Sequence, residues 1–81
     1  MMLTDLKTKS KVVGTKETLK AIENNIVIKV YLANDIDRYL KNSIINVLND
    51  NNIPIEYVES KFKLGRACGI DVAAASAAIL K

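Results

Sequence analysis

The apolar run IVIKVYLA at residues 26–33 is the feature that most constrains what this chain can fold into. Lysine is its one charged residue, and turn-forming pairs bound it, Asn24-Asn25 before and Asn34-Asp35 after. A nearly continuous apolar run of this length is typical of a strand that is covered on both faces. The sequence therefore predicts a central strand with helices packed on both sides of it.

Helical and extended patterns alternate on either side of this strand. Short β-branched or apolar runs predict strands at residues 11–13 and 55–58, and helical patterns occupy residues 2–9, 15–24, 36–51 and 60–68. The tail at residues 73–80 is ambiguous, because alanine propensity favours a helix whereas the alternation of elements favours a strand. We predict a strand there. The fold class expected is α/β, a three-layer α/β/α sandwich with a central four-stranded mixed sheet, in one domain over residues 1–81.

Capping residues and apolar stripes place the predicted helices. Thr15 is the expected N-cap of the second helix, Asp37 supplies N-cap chemistry for the third, and Ser60 caps the fourth. Pro54 forbids continuation of the third helix, and Gly69 is suited to follow the end of the fourth. The residues expected to face the core are Leu19, Ile22 and Ile26 in the second helix and Leu40, Ile44, Val47 and Leu48 in the third.

Composition excludes most catalytic chemistry. The 81 residues include one cysteine, Cys68, and no histidine, so an intrachain disulfide, a zinc site and an imidazole base are not expected. With no plausible acid–base pair, the chain is predicted not to be an enzyme and to need no cofactor or metal. The longest uncharged run is too short to span a membrane and no signal-peptide pattern is present, which favours a cytoplasmic protein, expected to be a monomer.

The charges are unevenly distributed along the chain. The net charge is +3, from 12 basic and 9 acidic residues. Residues 7–20 contain five lysines and one acid, and residues 60–69 contain three basic residues and no acid. By contrast, all the charged residues in the range 42–59 are acidic. Two basic segments on one face are the footprint of a polyanion binder. On charge alone, a solvated surface with chance clustering is an equally good interpretation.

We expect residues 13–20, VGTKETLK, to bind the ligand of this chain. Gly14 stands where a helix begins, so free backbone N–H groups suit a phosphate there, and Lys16 and Lys20 add charge one turn apart. Glu17 is one position too early for a capping box led by Thr15. It either favours the helix dipole, the commoner role, or accepts from amino groups on nucleobase edges.

The second basic segment, KFKLGRACGIDV at residues 61–72, ends in a short loop. Its apolar residues Ile70 and Val72 either anchor the loop to the core or pack against splayed bases. Cys68 is interpreted as a buried small residue, because no partner base is at hand.

Four short segments of the sequence together resemble the kink-turn RNA-binding ribosomal proteins of the L-seven-Ae type, which include bacterial YbxF-like members. They are GTKETLKA at residues 14–21, YLANDID at 31–37, NIPIEYVESK at 52–61 and LGRACGID at 64–71. The resemblance covers nearly the whole chain. It implies the α/β/α sandwich and binding to a kink-turn, a sharply bent RNA with a short bulge beside sheared G·A pairs, in ribosomal RNA, a riboswitch or another structured RNA.

The resemblance also implies roles for particular residues. By position, Gly14 and Thr15 match the site of close backbone approach, and Lys16 and Glu17 match the residues that read the G·A pairs. Lys20 and Lys61 match phosphate contacts. The loop that rests on the bulged nucleotides is matched by Ile70, Asp71 and Val72. A further flank of the same surface is matched by Asp37 and Arg38.

Two positions depart from the family pattern. Lys16 replaces an Asn usual in archaeal and eukaryotic members, so it offers only donors, and Asp71 places an acid in the loop. The alternative function is a protein-interaction module of the same fold that has lost RNA binding.

Overall fold

The computed structural model describes residue 6 and residues 9–81. The elements in chain order are β1 (Lys11–Val13), α1 (Thr15–Glu23), β2 (Val27–Ala33), α2 (Arg38–Asp50), β3 (Ile55–Val58), α3 (Lys61–Ala67) and β4 (Ser76–Leu80). The helix predicted over residues 2–9 lies outside the described residues, apart from Leu6 and Lys9. Over the described ranges, none of the helices has the length and apolar character needed to cross a bilayer.

The four strands form one mixed sheet in the order β1-β4-β2-β3. Strands β2 and β3 are parallel, whereas β4 is antiparallel to both of its neighbours, β1 and β2. The predicted central strand is confirmed, because β2 lies inside the sheet and Val30, Tyr31, Leu32 and Ala33 are inaccessible to solvent. Its one charge, Lys29, is bound 2.6 Å from a carboxylate oxygen of Glu56 on β3.

The two faces of the sheet carry separate hydrophobic clusters. Successive side chains of a strand point to opposite faces, so Val30 and Leu32 pack with residues of α1 and α2, whereas Tyr31 and Ala33 pack with residues of α3. Leu6 joins the α3 cluster. The predicted three-layer α/β/α sandwich is therefore confirmed.

The alanine-rich tail forms a strand, as the alternation of elements predicted and helix propensity did not. Strand β4 lies between β1 and β2, and Ala77 and Ala78 are inaccessible on its two faces. Tertiary context overrides propensity here, because both neighbouring strands supply backbone partners. The small side chains also leave room for a helix to approach the strand closely.

The stripe predicted for α1 is wrong in part. Ile22 is buried as expected, but Leu19 and Ile26 are 36 % and 40 % exposed, and Thr18 and Ala21 are buried instead. The Ser76 hydroxyl lies 3.5 Å from the Thr18 hydroxyl, to which it donates, so a small polar pair occupies the contact between α1 and β4. The helix therefore turns its small residues towards the sheet and leaves Leu19 at the margin.

The third predicted helix is confirmed, although its start is shifted. Helix α2 begins at Arg38 with Asp37 as its N-cap, two residues later than predicted. Ile44 and Leu48 are buried, and Leu40 and Val47 are half-buried against the same cluster. Both α1 and α2 are followed by an asparagine in the left-handed region, at Asn25 and Asn52, which explains why the Asn pairs end these helices.

Candidate nucleic-acid interface

Four loops meet at one end of the sheet. Strands β1, β2 and β3 run in the same direction, since β1 and β2 are each antiparallel to β4 and β3 is parallel to β2. The carboxyl ends of these strands and the amino end of β4 therefore lie at the same end of the sheet. The start of α1, the loop before α2, the start of α3 and the loop before β4 all lie at this end.

A belt of backbone hydrogen bonds ties these loops together. The Gly14 N–H donates to the Ser76 carbonyl oxygen at 2.8 Å, and the Ala33 N–H donates to the adjacent Ala75 carbonyl at 2.9 Å. At the same end of the sheet, the Asn34 N–H donates to the Val58 carbonyl oxygen at 2.8 Å. The start of α1 is thus fixed relative to the ends of β2 and β3.

The start of α3 is attached to the same belt from both sides. One carboxylate oxygen of Asp35 accepts a hydrogen bond from the Lys61 N–H at 2.8 Å. The Lys61 carbonyl oxygen in turn accepts from the Ala74 N–H at 3.0 Å. Lys61 is therefore held between the loop that follows β2 and the loop that precedes β4.

Helix α1 begins without a side-chain cap. Its N-cap is Gly14, at φ 101°, rather than Thr15 as the sequence predicted, so Thr15 is the first helical residue. Its hydroxyl lies 3.3 Å from the Ser76 hydroxyl instead. Among the described residues, none accepts from the backbone N–H groups of Thr15, Lys16 and Glu17. These three donors and the positive end of the helix dipole lie together, an arrangement that suits an anion.

The conformation at Gly14 favours glycine because of its backbone angles rather than for lack of space. A Cβ atom at this position would meet no heavy atom within 4 Å. A positive φ is nonetheless costly for residues with a side chain.

Glu17 occupies a different position in the helix from the one predicted. With Gly14 as N-cap, Glu17 stands three residues on, where a capping-box acid would bond back to the N-cap N–H. That N–H already donates to Ser76, so the usual partner of such an acid is taken. The Glu17 carboxylate is exposed and makes no hydrogen bond within the described part of the chain. It is therefore available to an external donor.

The remaining predicted polar residues differ in whether their side chains make hydrogen bonds within the protein. Lys16, Lys20, Arg38 and Lys61 are exposed, and none of their side-chain nitrogens is engaged by a described residue. By contrast, the Asp37 carboxylate accepts from the Leu40 N–H at 3.3 Å and caps α2. Asp37 thus has a structural role of its own.

The loop before β4 is held by the end and the middle of α3. Gly69, at φ 81°, ends the helix, and Ile70 packs half-buried against the α3 cluster. Asp71 and Val72 are exposed. A Cβ atom on Gly65 would overlap the Val72 carbonyl oxygen, so the absence of a side chain at Gly65 lets the loop lie directly against the helix.

Three residues that position the interface were not predicted. They are Asp35, Gly65 and Ser76. A glycine inside a helix is unfavourable unless something lies close to it, and this signal was present at Gly65. Ser76 lies within an alanine run, where nothing in the sequence marks its contact with Gly14.

Cys68 is a buried small residue, as predicted. Burial raises the pKa of the Cys68 thiol, and the charge of Lys11 opposes this shift more weakly. A raised pKa disfavours the thiolate, which is the nucleophilic form.

Comparison with known proteins assigns the chain to a family. Residues 2–81 match the Ribosomal protein L7Ae/L30e/S12e/Gadd45 family. The chain belongs to this family.

A Halalkalibacterium halodurans RNA-binding protein is 47 % identical over 70 residues, covering 86 % of this chain and 85 % of that protein. An RNA-binding protein of Staphylococcus aureus is 40 % identical over 70 residues, covering 86 % and 83 %. Family membership confirms the sequence resemblance and the prediction of a non-enzymatic protein.

Solved structures agree with this family fold. The Giardia lamblia 15.5kD RNA binding protein superposes with a TM-score of 0.88 at 27 % identity, covering 98 % of this chain and 70 % of that one. A Bacillus halodurans protein of unknown function superposes with a TM-score of 0.87 at 23 % identity, covering 98 % and 83 %. At that identity the second likeness concerns the fold alone.

Proposed function

We propose that this chain is an RNA-binding protein that recognises kink-turns. The observation that carries the proposal is the belt of hydrogen bonds, because it gathers the open start of α1, Lys61 and the loop at residues 70–72 at one end of the sheet. These are the two segments that the sequence marked as basic. The RNA-binding relatives support the general activity, while kink-turn recognition rests on the residues themselves and on the family resemblance.

The open start of α1 would enter the RNA. The major groove of an A-form helix is too narrow for a protein helix, but a sharp kink widens it. Gly14 and Thr15 would then lie against the backbone, and the unpaired N–H groups with Lys20 would bind phosphate oxygens. Lys16 would donate to guanine acceptors, and Glu17 would accept from exocyclic amino groups of the G·A pairs.

The other parts of the belt would bind the flanks of the kink. Lys61 would contact phosphate, and Ile70, Asp71 and Val72 would rest on the bulged nucleotides. Arg38 would extend the surface beyond Asp37. We propose further that residues 1–81 act as one domain and as a monomer in the cytoplasm, on ribosomal RNA or a regulatory RNA such as a riboswitch.

The test compares the two residues that would read the G·A pairs with a matched control. Glu17→Ala and Lys16→Ala should each weaken binding to a kink-turn RNA by about 1–3 kcal/mol, because each removes a base contact. Glu23→Ala changes an exposed acid in the last turn of the same helix and should leave affinity unchanged. Gel-shift or calorimetric titration at one fixed salt concentration measures all three.

A second RNA separates kink-turn recognition from general affinity for RNA. The wild-type protein should bind an RNA with intact G·A pairs much more tightly than one in which Watson–Crick pairs replace them. Equal affinity for the two RNAs would show that kink-turn recognition is wrong. No affinity for either, together with a protein partner retained after nuclease treatment, would favour the interaction module.

A further inference from the structure

An exposed aromatic side chain borders the proposed interface on the outer side of α3. Phe62 is 68 % exposed and Val72 is 65 % exposed, although both are large apolar residues. They line a cavity of about 140 Å³ together with Arg66, Ile70 and Asp71. The cavity lies at the surface and shares three of its residues with the loop that we propose rests on RNA.

The backbone of α3 and its loop builds this cavity. Phe62 and Arg66 are four residues apart and so lie one above the other on the helix surface. The loop returns along the helix because Gly65 admits the Val72 carbonyl, and because the Ala74 N–H donates to Lys61 at the start of α3. The side chain of Val72 is thereby placed beside Phe62 across the opening.

The polar groups of the cavity are not used by the protein. Within residues 9–81, no hydrogen bond or ion pair engages the side chains of Arg66 and Asp71. Phe62 is in neither hydrophobic cluster, so its exposed ring does not serve the core. An aromatic ring, a carboxylate and a guanidinium around one surface cavity are groups with which proteins bind unpaired bases.

We propose that this cavity binds one unpaired nucleobase that carries an exocyclic amino group. The base would stack on Phe62 against Val72, the Asp71 carboxylate would accept from the amino group, and Arg66 would pair with a neighbouring phosphate. RNA is the occupant that the charges favour, since Arg66 lines the cavity and Lys61 begins the same helix, its ammonium without an acid partner among the described residues. The proposal rests on the proposed function, because continuity with the RNA-binding loop sets the direction from which the strand arrives.

Phe62 variants test the stack in the full chain. Phe62→Ala should weaken binding to the kink-turn RNA about tenfold, within the range for one base–aromatic stack. Phe62→Tyr keeps a ring and should bind like the wild type. Ile28→Ala is the control, because Ile28 is also an exposed apolar residue but lies near the opposite end of the sheet. Unchanged affinity of Phe62→Ala would overturn the proposal.

A double-mutant cycle identifies the base. Each unpaired nucleotide of the RNA is made abasic in turn and titrated with the wild type and with Phe62→Ala. One abasic site should cost the wild type about tenfold and cost the variant nothing more. Independent losses at every site would overturn the proposal. At the coupled site, purine riboside, which lacks only the amino group of adenosine, should bind more weakly than adenosine to the wild type and equally well to Asp71→Ala.

A probe that contains no kink-turn separates this proposal from the proposed function. Adenosine monophosphate at millimolar concentration should shift the ring resonances of Phe62, whereas ribose 5-phosphate should not. If the wild type fails to distinguish intact from disrupted G·A pairs but the Phe62 ring still shifts, the base site stands and kink-turn recognition falls. If the protein distinguishes the two RNAs and the Phe62 ring does not respond, the base site falls alone.

Discussion

The amino termini of α1 and α3 lie at the same end of the sheet but differ in how the protein satisfies them. At α3 the Ser60 hydroxyl accepts from the Lys63 N–H at 3.1 Å, and Asp35 accepts from the Lys61 N–H. At α1 the N-cap is a glycine without a side chain, and three N–H groups have no acceptor among the described residues. Within the described part of the chain, the protein thus supplies acceptors for two of the first three N–H groups of α3 and for none of the first three of α1.

This difference separates the N–H groups that stabilise the fold from those that remain available to a ligand. A closed helix start gains its stability within the fold, because its donors are already paired. An open start leaves donors that only water or a ligand satisfies. The Gly14 N–H and the hydroxyl groups of Thr15 and Thr18 all contact Ser76, so the start of α1 is held in place without using the next three backbone donors.

The largest expected effect is a loss of stability when the packing of α3 against its loop is disturbed. Gly65→Ala should destabilise the protein by about 2 kcal/mol, because the added methyl group overlaps the Val72 carbonyl oxygen and overpacking of this kind is costly. Chemical denaturation measures the loss. Wild-type stability of Gly65→Ala would show that the loop does not pack as described.

A smaller effect distinguishes the two helix starts directly. Ser60→Ala removes a side-chain cap and should cost about 1 kcal/mol of unfolding free energy. Thr15→Ala should cost less, about 0.5 kcal/mol, because Thr15 does not cap α1 and its hydroxyl contacts only that of Ser76, which keeps Thr18 as a second partner. Thermal or urea unfolding of the two variants measures the contrast. Equal losses would mean that Thr15 caps α1 after all.

The smallest effect concerns the charge beside the open start. Lys20→Ala should lower the slope of log affinity against log salt by about one unit, because one phosphate contact is lost. Lys63→Ala provides the matched control, since the Lys63 ammonium already lies 3.2 Å from a Glu59 carboxylate oxygen. Titrations at several salt concentrations give both slopes. An unchanged slope for Lys20→Ala would remove Lys20 from the phosphate contacts.

The sequence predicted the elements well because strong local signals bound them. The apolar run of β2, the left-handed Asn25 and Asn52, and the cap at Ser60 each specify structure within a few residues. The choice of a strand for the tail required the pattern of the whole chain, since alanine propensity alone favours a helix. Strand order is not predictable from local patterns, because it depends on pairings between segments that are far apart in the sequence.

The errors occur where two distant segments meet. The apolar pattern predicts that Leu19 lies in the core, yet Thr18 and Ala21 pack against the small residues of β4 instead. Capping preference favours Thr15 as the N-cap, yet Gly14 occupies that position because its N–H donates to Ser76. Neither outcome follows from the local sequence of α1.

The interior position of β4 has a consequence for the order of assembly during synthesis. Strand β1 and the start of α1 emerge from the ribosome early, but their backbone partners in β4 are translated last among the strands. Until those partners emerge, β1 has no neighbour in the sheet and Gly14 has no acceptor at Ser76. The hydrogen bond between Gly14 and Ser76 therefore forms only after β4 has been inserted into the sheet, so the start of α1 reaches its final position late in folding.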